Sequence, residues 1–143
     1  MMREIWTPEL TSGAAWLDEL HYGIAISLRR AGQAHDRAFP AAYTSLVADI
    51  ELAFREEEKR MDDADPALVK SHREQHARVL RGLHCAHTQV LDGDIALGRE
   101  IAIELLPRWL GWHIAAMDIP LAKATMHYGN DNASTRNPCI SVS

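Results

Sequence analysis

Residues 66 to 91, PALVKSHREQHARVLRGLHCAHTQVL, carry Val69, Val79, Leu80, Leu83 and Val90 at steps of three and four, and His72 and His76 share their face. That is the period of an amphipathic α-helix. Asp65 ahead of Pro66 supplies an N-cap and a first-turn proline, and Asp92-Gly93-Asp94 ends the pattern. Within this helix the two imidazoles stand one turn apart, a spacing that lets both bind one metal from one helix. HREQH is not the HExxH of zinc proteases, because Arg73 holds the position of the catalytic glutamate. Metal-assisted peptide hydrolysis therefore gains no support.

The same period recurs on both sides. A helix over about residues 14 to 36 places Leu17, Leu20, Ile24, Ala25 and Leu28 on one face, with His21 inside the stripe. Another begins near Pro40 and aligns Leu46, Val47, Ile50, Ala53, Phe54, Glu57 and Met61. A last one runs from near Ile95 to about His127 with Ile103, Leu106, Trp109, Leu110, His113, Ile114, Met117 and Leu121 inward, and Pro107 is expected to bend it or cost it a hydrogen bond. No stretch alternates with the period of a strand. Four amphipathic helices with short connections predict an all-α fold, an up-down-up-down antiparallel four-helix bundle over residues 14–127. Residues 1–13, with Trp6, read as an N-terminal arm. Residues 128–143 are small, polar and aperiodic, the composition of a flexible tail.

The totals narrow the class. A chain of 143 residues suits one domain with a real core. Fifteen Lys+Arg against 20 Asp+Glu give a formal charge of -5 with the signs interleaved, which leaves no basic stripe for phosphates and excludes nucleic acid as the expected partner. No apolar run reaches the length of a membrane span, so no membrane partner is expected and a cytoplasmic location is. Cys85 and Cys139 suggest neither a disulfide framework nor a metal knuckle.

Glu57 is the most informative acid. It shares the apolar stripe of Ile50, Phe54 and Met61, while Glu56 and Glu58 point elsewhere on the wheel. A buried carboxylate demands a cation, a metal ion or a proton. His21 and His113 lie on the stripes of two further helices, so four helices each project a polar group into one bundle. Asp118 is harder to place, because five residues beyond His113 is about 140° around an α-helical wheel. A ferritin-like di-iron bundle needs Glu-x-x-His on two helices. No glutamate here has a histidine three residues on.

These features resemble the hemerythrins, in particular the single-domain bacterial forms. The likeness covers residues 6 to about 121: Trp6, SGAAWLDELH ending at His21, AFREEEKRM where the family has HFxxEExxM, HREQH, and WLGWHIAAMD matching WLxxHIxxxD. It implies a four-helix bundle around two non-haem irons that bind O2 reversibly. It further implies that His72, His76 and His113 ligate one iron, that Glu57 and Asp118 bridge both, and that His21 ligates the second, which takes the O2. The family's remaining histidine falls at Ala53.

Loss of an imidazole there implies weaker binding at the second position. Glu56, His84 and His87 are the nearest spare donors, but Glu56 is on the wrong side of the wheel and the histidines lie along the third helix at surface or lower-core positions. His35 and His127 are expected to face solvent, as is Trp112. Phe54, Trp109, Leu110 and Ile114 resemble the family's apolar wall. The expected role is a carrier, store or sensor of O2 or a related small ligand, and not an enzyme. Two other readings stay open: peroxidase-like or NO- and peroxide-consuming chemistry at a more open iron, and a domain with a single metal kept for structure.

Overall fold

The computed structural model describes residues 12–61 and 64–123. Trp6, His127, Cys139 and the segment 128–143 lie outside them, as does the arm up to residue 11. Among the described residues the chain forms four helices and no strand: α1 (Ala15–Gln33), α2 (Phe39–Lys59), α3 (Pro66–Leu91) and α4, helical from residue 96 to residue 123. Neighbours in sequence pack side by side, and α1 touches α4, so the four close into an antiparallel bundle.

The boundaries have local causes. Asp65 caps α3 by accepting the Ala67 N–H at 3.0 Å, and Pro66 follows it in the first turn, where a missing N–H costs nothing. Pro40 does the same for α2. The turn after α3 passes through Gly93 at φ +97°, the left-handed region that a side chain disfavours. At Gly98 a Cβ would meet Val90 Cγ2 at 2.5 Å, so only glycine lets α4 approach α3 this closely. Arg99 then ties the bundle end together, donating to Asp36 Oδ1 at 2.7 Å and to the Ala34 carbonyl at 2.6 Å.

The core runs the length of the bundle through Ile24 and Leu28 of α1, Phe39, Tyr43, Leu46, Ile50 and Phe54 of α2, Leu83 and Val90 of α3, and Leu106, Leu110 and Ile114 of α4. Tyr43 is wholly buried and donates to the Leu83 carbonyl at 2.8 Å. Burial pushes its hydroxyl up to about 12, so it stays a donor.

α4 departs from the expected wheel. Its buried residues include Gly98, Ala102, Leu106, Leu110, Ile114, Asp118 and Ala122 at steps of four, with His113 and Leu121 beside them. In an unbroken α-helix each such step drifts by about 40°, so six steps would carry the face through about 240°. Two π turns, Ile101–Leu105 and Ile114–Asp118, restore it. In each the N–H bonds five residues back, Leu106 to the Ile101 carbonyl and Ile119 to the Ile114 carbonyl. One extra residue per turn sets the face back by about 100°, and two by about 200°, close to the drift. One expectation is corrected by this. Ile103, placed inward by a plain α wheel, is 37% exposed because the first π turn gives its inward position to Ala102. Pro107, which has no N–H to give, follows the first π turn in the opening turn of Leu106–His113, and the chain stays helical through it.

Candidate metal centre

Each helix delivers one part of a cluster in which polar groups are almost fully dry. His72 and His113 are 0% exposed, His76 and Asp118 1%, His21 2% and Glu57 3%. The six residues singled out from the sequence therefore lie together. α1 supplies His21 from the stripe of Leu17 and Ile24, α2 supplies Glu57 one turn beyond Ala53, and α3 supplies His72 and His76 one turn apart. α4 supplies His113 and Asp118. A plain α-helix would turn these two away from each other, but they flank the second π turn, and His113 Nε2 stands 3.0 Å from Asp118 Oδ1.

The donor atoms fall into two overlapping groups. In one, Glu57, His72, His76 and His113 each offer an atom within 4.8 Å of the others; in the other, His21, Glu57 and Asp118 do. Glu57 belongs to both. Asp118 also spans them, with Oδ2 at 2.8 Å from His21 Nε2 and Oδ1 at 2.6 Å from His72 Nε2. Two carboxylates thus stand between three imidazoles on one side and one imidazole on the other.

Hydrogen bonding accounts for only part of this. His72 Nε2 lies 2.6 Å from both Glu57 Oε1 and Asp118 Oδ1, yet it has one proton to give and its geometry suits Asp118. Glu57 Oε1, His76 Nε2 and His113 Nε2 are buried with no hydrogen-bond partner. Orphaned atoms of this kind are costly in a core unless something meets them. The outer nitrogens are held instead: His76 Nδ1 faces Glu58 Oε2 at 2.9 Å, and His113 Nδ1 faces Gln75 Oε1 at 3.1 Å. Each acceptor fixes the Nδ1–H tautomer and aims a bare Nε2 lone pair inward, the arrangement typical around metal-binding histidines. A mixed imidazole and carboxylate set suits a borderline transition metal such as iron or zinc. The residues fit such an ion.

Titration follows from the same packing. Burial drives the His76 imidazolium off, helped by His113 and His72, and lowers it to about 3, so the ring is neutral at pH 7. Burial opposes charge on His72 too, but hydrogen bonds to Asp118 and Glu57 outweigh it and raise the ring to about 9. Asp118 stays far below the usual carboxylate range, burial being overcome by its close contacts with the His113, His21 and His72 rings. Glu57 is pushed well up, mainly by burial. Without a metal the cluster is closed in part by the proton on His72.

Around it the aromatic rings stack on the ligand candidates. Phe54 lies flat on His76 at 3.8 Å, and Trp109 on His113 at 4.5 Å, while Phe54 and Trp109 meet edge to face at 6.1 Å. Leu110 and Ile114 are buried beside them. Trp112 is 53% exposed, as expected. Glu56 pairs with Lys59 at the surface at 3.0 Å, His84 stands beside Glu51 at 3.4 Å, and His87 Nε2 stands 2.8 Å from Thr44 Oγ1. None of the three spare donors joins either group. Glu58, which the wheel turns away from the stripe of Glu57, and Gln75 are outer partners whose signal in the sequence is their nearness to a candidate ligand, where an outer acceptor is expected. Among the described residues no helix is long and apolar enough to cross a membrane.

Comparison with known proteins agrees with this geometry. The chain is 33% identical over 113 residues to a curated bacteriohemerythrin from Ralstonia nicotianae, covering 79% of this chain and 82% of that protein. No family model matches the chain, and no solved structure does.

Proposed function

This chain belongs to the hemerythrin family, and on that premise we propose that its buried cluster holds two non-haem irons and binds O2 or a related small ligand as a carrier, store or sensor. In this reading His72, His76 and His113 hold one iron, His21 holds the other, and Glu57 and Asp118 bridge them. The observation that carries it is the pair of carboxylates standing between the two donor groups. Iron bound there supplies reversible binding of a small ligand.

The chain's own residues do the rest. Glu58 and Gln75 keep His76 and His113 in one tautomer and one orientation, so no reorganisation precedes metal binding. The proton on His72 supplies positive charge beside the two carboxylates and would leave as a cation arrives. Phe54 and Trp109 seal two of the rings from water, which keeps a bound small ligand from protonation. Nothing in the cluster is arranged to position an organic substrate, which favours binding over catalysis.

One observation favours a second reading. The His21 group offers three donors, and one turn before Glu57 on α2 stands the methyl of Ala53, 5% exposed. A single metal at the three-imidazole end would then be all the cluster holds. The test is iron content per chain after anaerobic loading, with visible absorption recorded before and after O2 is admitted. Two irons and an absorption that appears with O2 and fades on its removal are expected. One metal and no change in absorption would replace this reading with the single-metal one.

A further inference from the structure

We propose that the outward face of α1, with the groove it forms against α2, packs on the same face of a second copy of this chain to give a two-fold symmetric dimer. None of the six candidate ligands lines that groove, so the surface is separate from the metal cluster.

Glu19, Gly23, Ile26 and Arg30 follow one another along α1 at steps of four, three and four, and fall within about 60° of each other on its wheel. That is the seam spacing of helices that pack side by side. All four line a groove of 370 Å³ against α2, with Asp49 and Leu52 among the residues of its other side. The stripe faces out of the bundle, because α1 buries Leu17, His21 and Leu28 on its opposite side.

The stripe is its own complement. Reversed end to end about a point midway between Gly23 and Ile26, Glu19 exchanges with Arg30 and Gly23 with Ile26. A second α1 laid antiparallel on the first therefore sets each Glu19 level with the Arg30 of the other copy, and each Ile26 beside the notch at the other Gly23. A parallel pair would set glutamate against glutamate and arginine against arginine. Complementarity of one patch with itself is what a two-fold axis demands. Both charges are free to pair outward, since among the described residues neither Glu19 nor Arg30 makes an ion pair. A Cβ at Gly23 would meet nothing within 4 Å, so the notch is open to a neighbour.

Apolar side chains gather at the axis. The Ser27 hydroxyl donates to Asp49 at 2.8 Å across the antiparallel α1 and α2, so Leu52, three residues beyond Asp49, stands level with the midpoint of the stripe. Leu52 is 52% exposed, and Tyr22, next to Gly23, is 57% exposed. Glu19 and Arg30 stand about 8 Å to either side of that midpoint along α1. An apolar centre inside a charged rim is the build of a protein–protein interface.

Sedimentation equilibrium of the full chain, from micromolar to near-millimolar concentration and at low and high salt, tests the proposal, with circular dichroism as a check on folding. The wild-type protein is expected to associate reversibly to a dimer, less strongly in high salt because the rim pairs are screened. Gly23→Leu adds a side chain where a single chain has room for it, so it should keep its helix content and weaken the dimer by about tenfold or more. Glu19→Arg and Arg30→Glu each set like charges against each other and should weaken it by about tenfold or more. The double variant Glu19→Arg/Arg30→Glu restores opposite charges across an antiparallel pair and should recover most of that loss. These exposed charge variants decide the matter even if Gly23→Leu fails to fold. A wild-type protein that stays monomeric throughout overturns the proposal. So does a dimer that a folded Gly23→Leu leaves unchanged, or a double variant no stronger than the single ones.

Discussion

The two ends of the cluster share Glu57 but are built differently. At the α3 end three imidazoles meet, two of them with outer acceptors and flat aromatic neighbours. At the α1 end one imidazole faces one shared carboxylate oxygen at 2.8 Å, and the helix opposite offers a methyl group beside a cleft. The contrast teaches that a coordination site is as strong as the shell that fixes its donors. The same bundle can hold a rigid end and a loose one a few ångströms apart.

The largest expected effect comes from breaking the rigid end. His113→Ala removes a donor and leaves Trp109 without its stacking partner, so metal affinity at that end should fall by more than the ~100-fold that loss of an outer partner brings. Isothermal titration with Zn(II) would measure it, and the α1 end should show no comparable loss. Glu58→Ala spares all six candidate ligands but frees the His76 ring. A decrease of about 10- to 100-fold in affinity at the same end is expected. An unchanged affinity would mean that the His76 tautomer is fixed by packing against Phe54 alone.

Repair of the loose end comes next. Ala53→His should tighten the second metal by roughly tenfold or more and slow loss of the O2-dependent absorption, which narrows the contrast between the ends. Equal second-metal affinity in the two proteins would show that residue 53 does not face the centre.

The smallest effect is on the metal-free protein. A His72 ring raised to about 9 contributes stability that is complete below its ordinary 6.5 and lost as pH climbs through 9. Glu57 acts in the same sense, since its folded value is also raised. His76, lowered to about 3, acts in the opposite sense and costs stability as pH falls below 6.5. Metal-free stability should therefore peak near neutral pH and decline toward pH 9 by roughly 5 °C in Tm. Metal replaces the His72 proton and should flatten that decline.

The parts of this molecule that sequence discloses are those with a repeating spacing. His72 and His76 at four residues apart, and Glu57 on the stripe of Ile50 and Phe54, are legible because an α wheel is enough to place them. The bundle is legible for the same reason. Asp118 is not, because it shares a face with His113, five residues before it, only once a π turn lies between them. The clue was present in the series Gly98, Ala102, Leu106, Leu110, Ile114, Asp118, Ala122, but glycine, alanines and an aspartate carry little hydropathy signal. Glu58 is turned off the stripe of Glu57 because adjacent residues on a wheel differ by about 100°, yet its side chain reaches His76 Nδ1 from outside the cluster. The cleft at Gly23 and Ala53 depends on two helices facing each other, which no single stripe encodes.

The central claim is that one cluster has two unequal ends. A stepwise anaerobic titration of the metal-free chain with Fe(II), followed by bound iron at each free concentration, tests it most directly. Two steps are predicted, a tight first iron and a second bound at least about tenfold more weakly. Two irons bound with equal affinity would contradict the account.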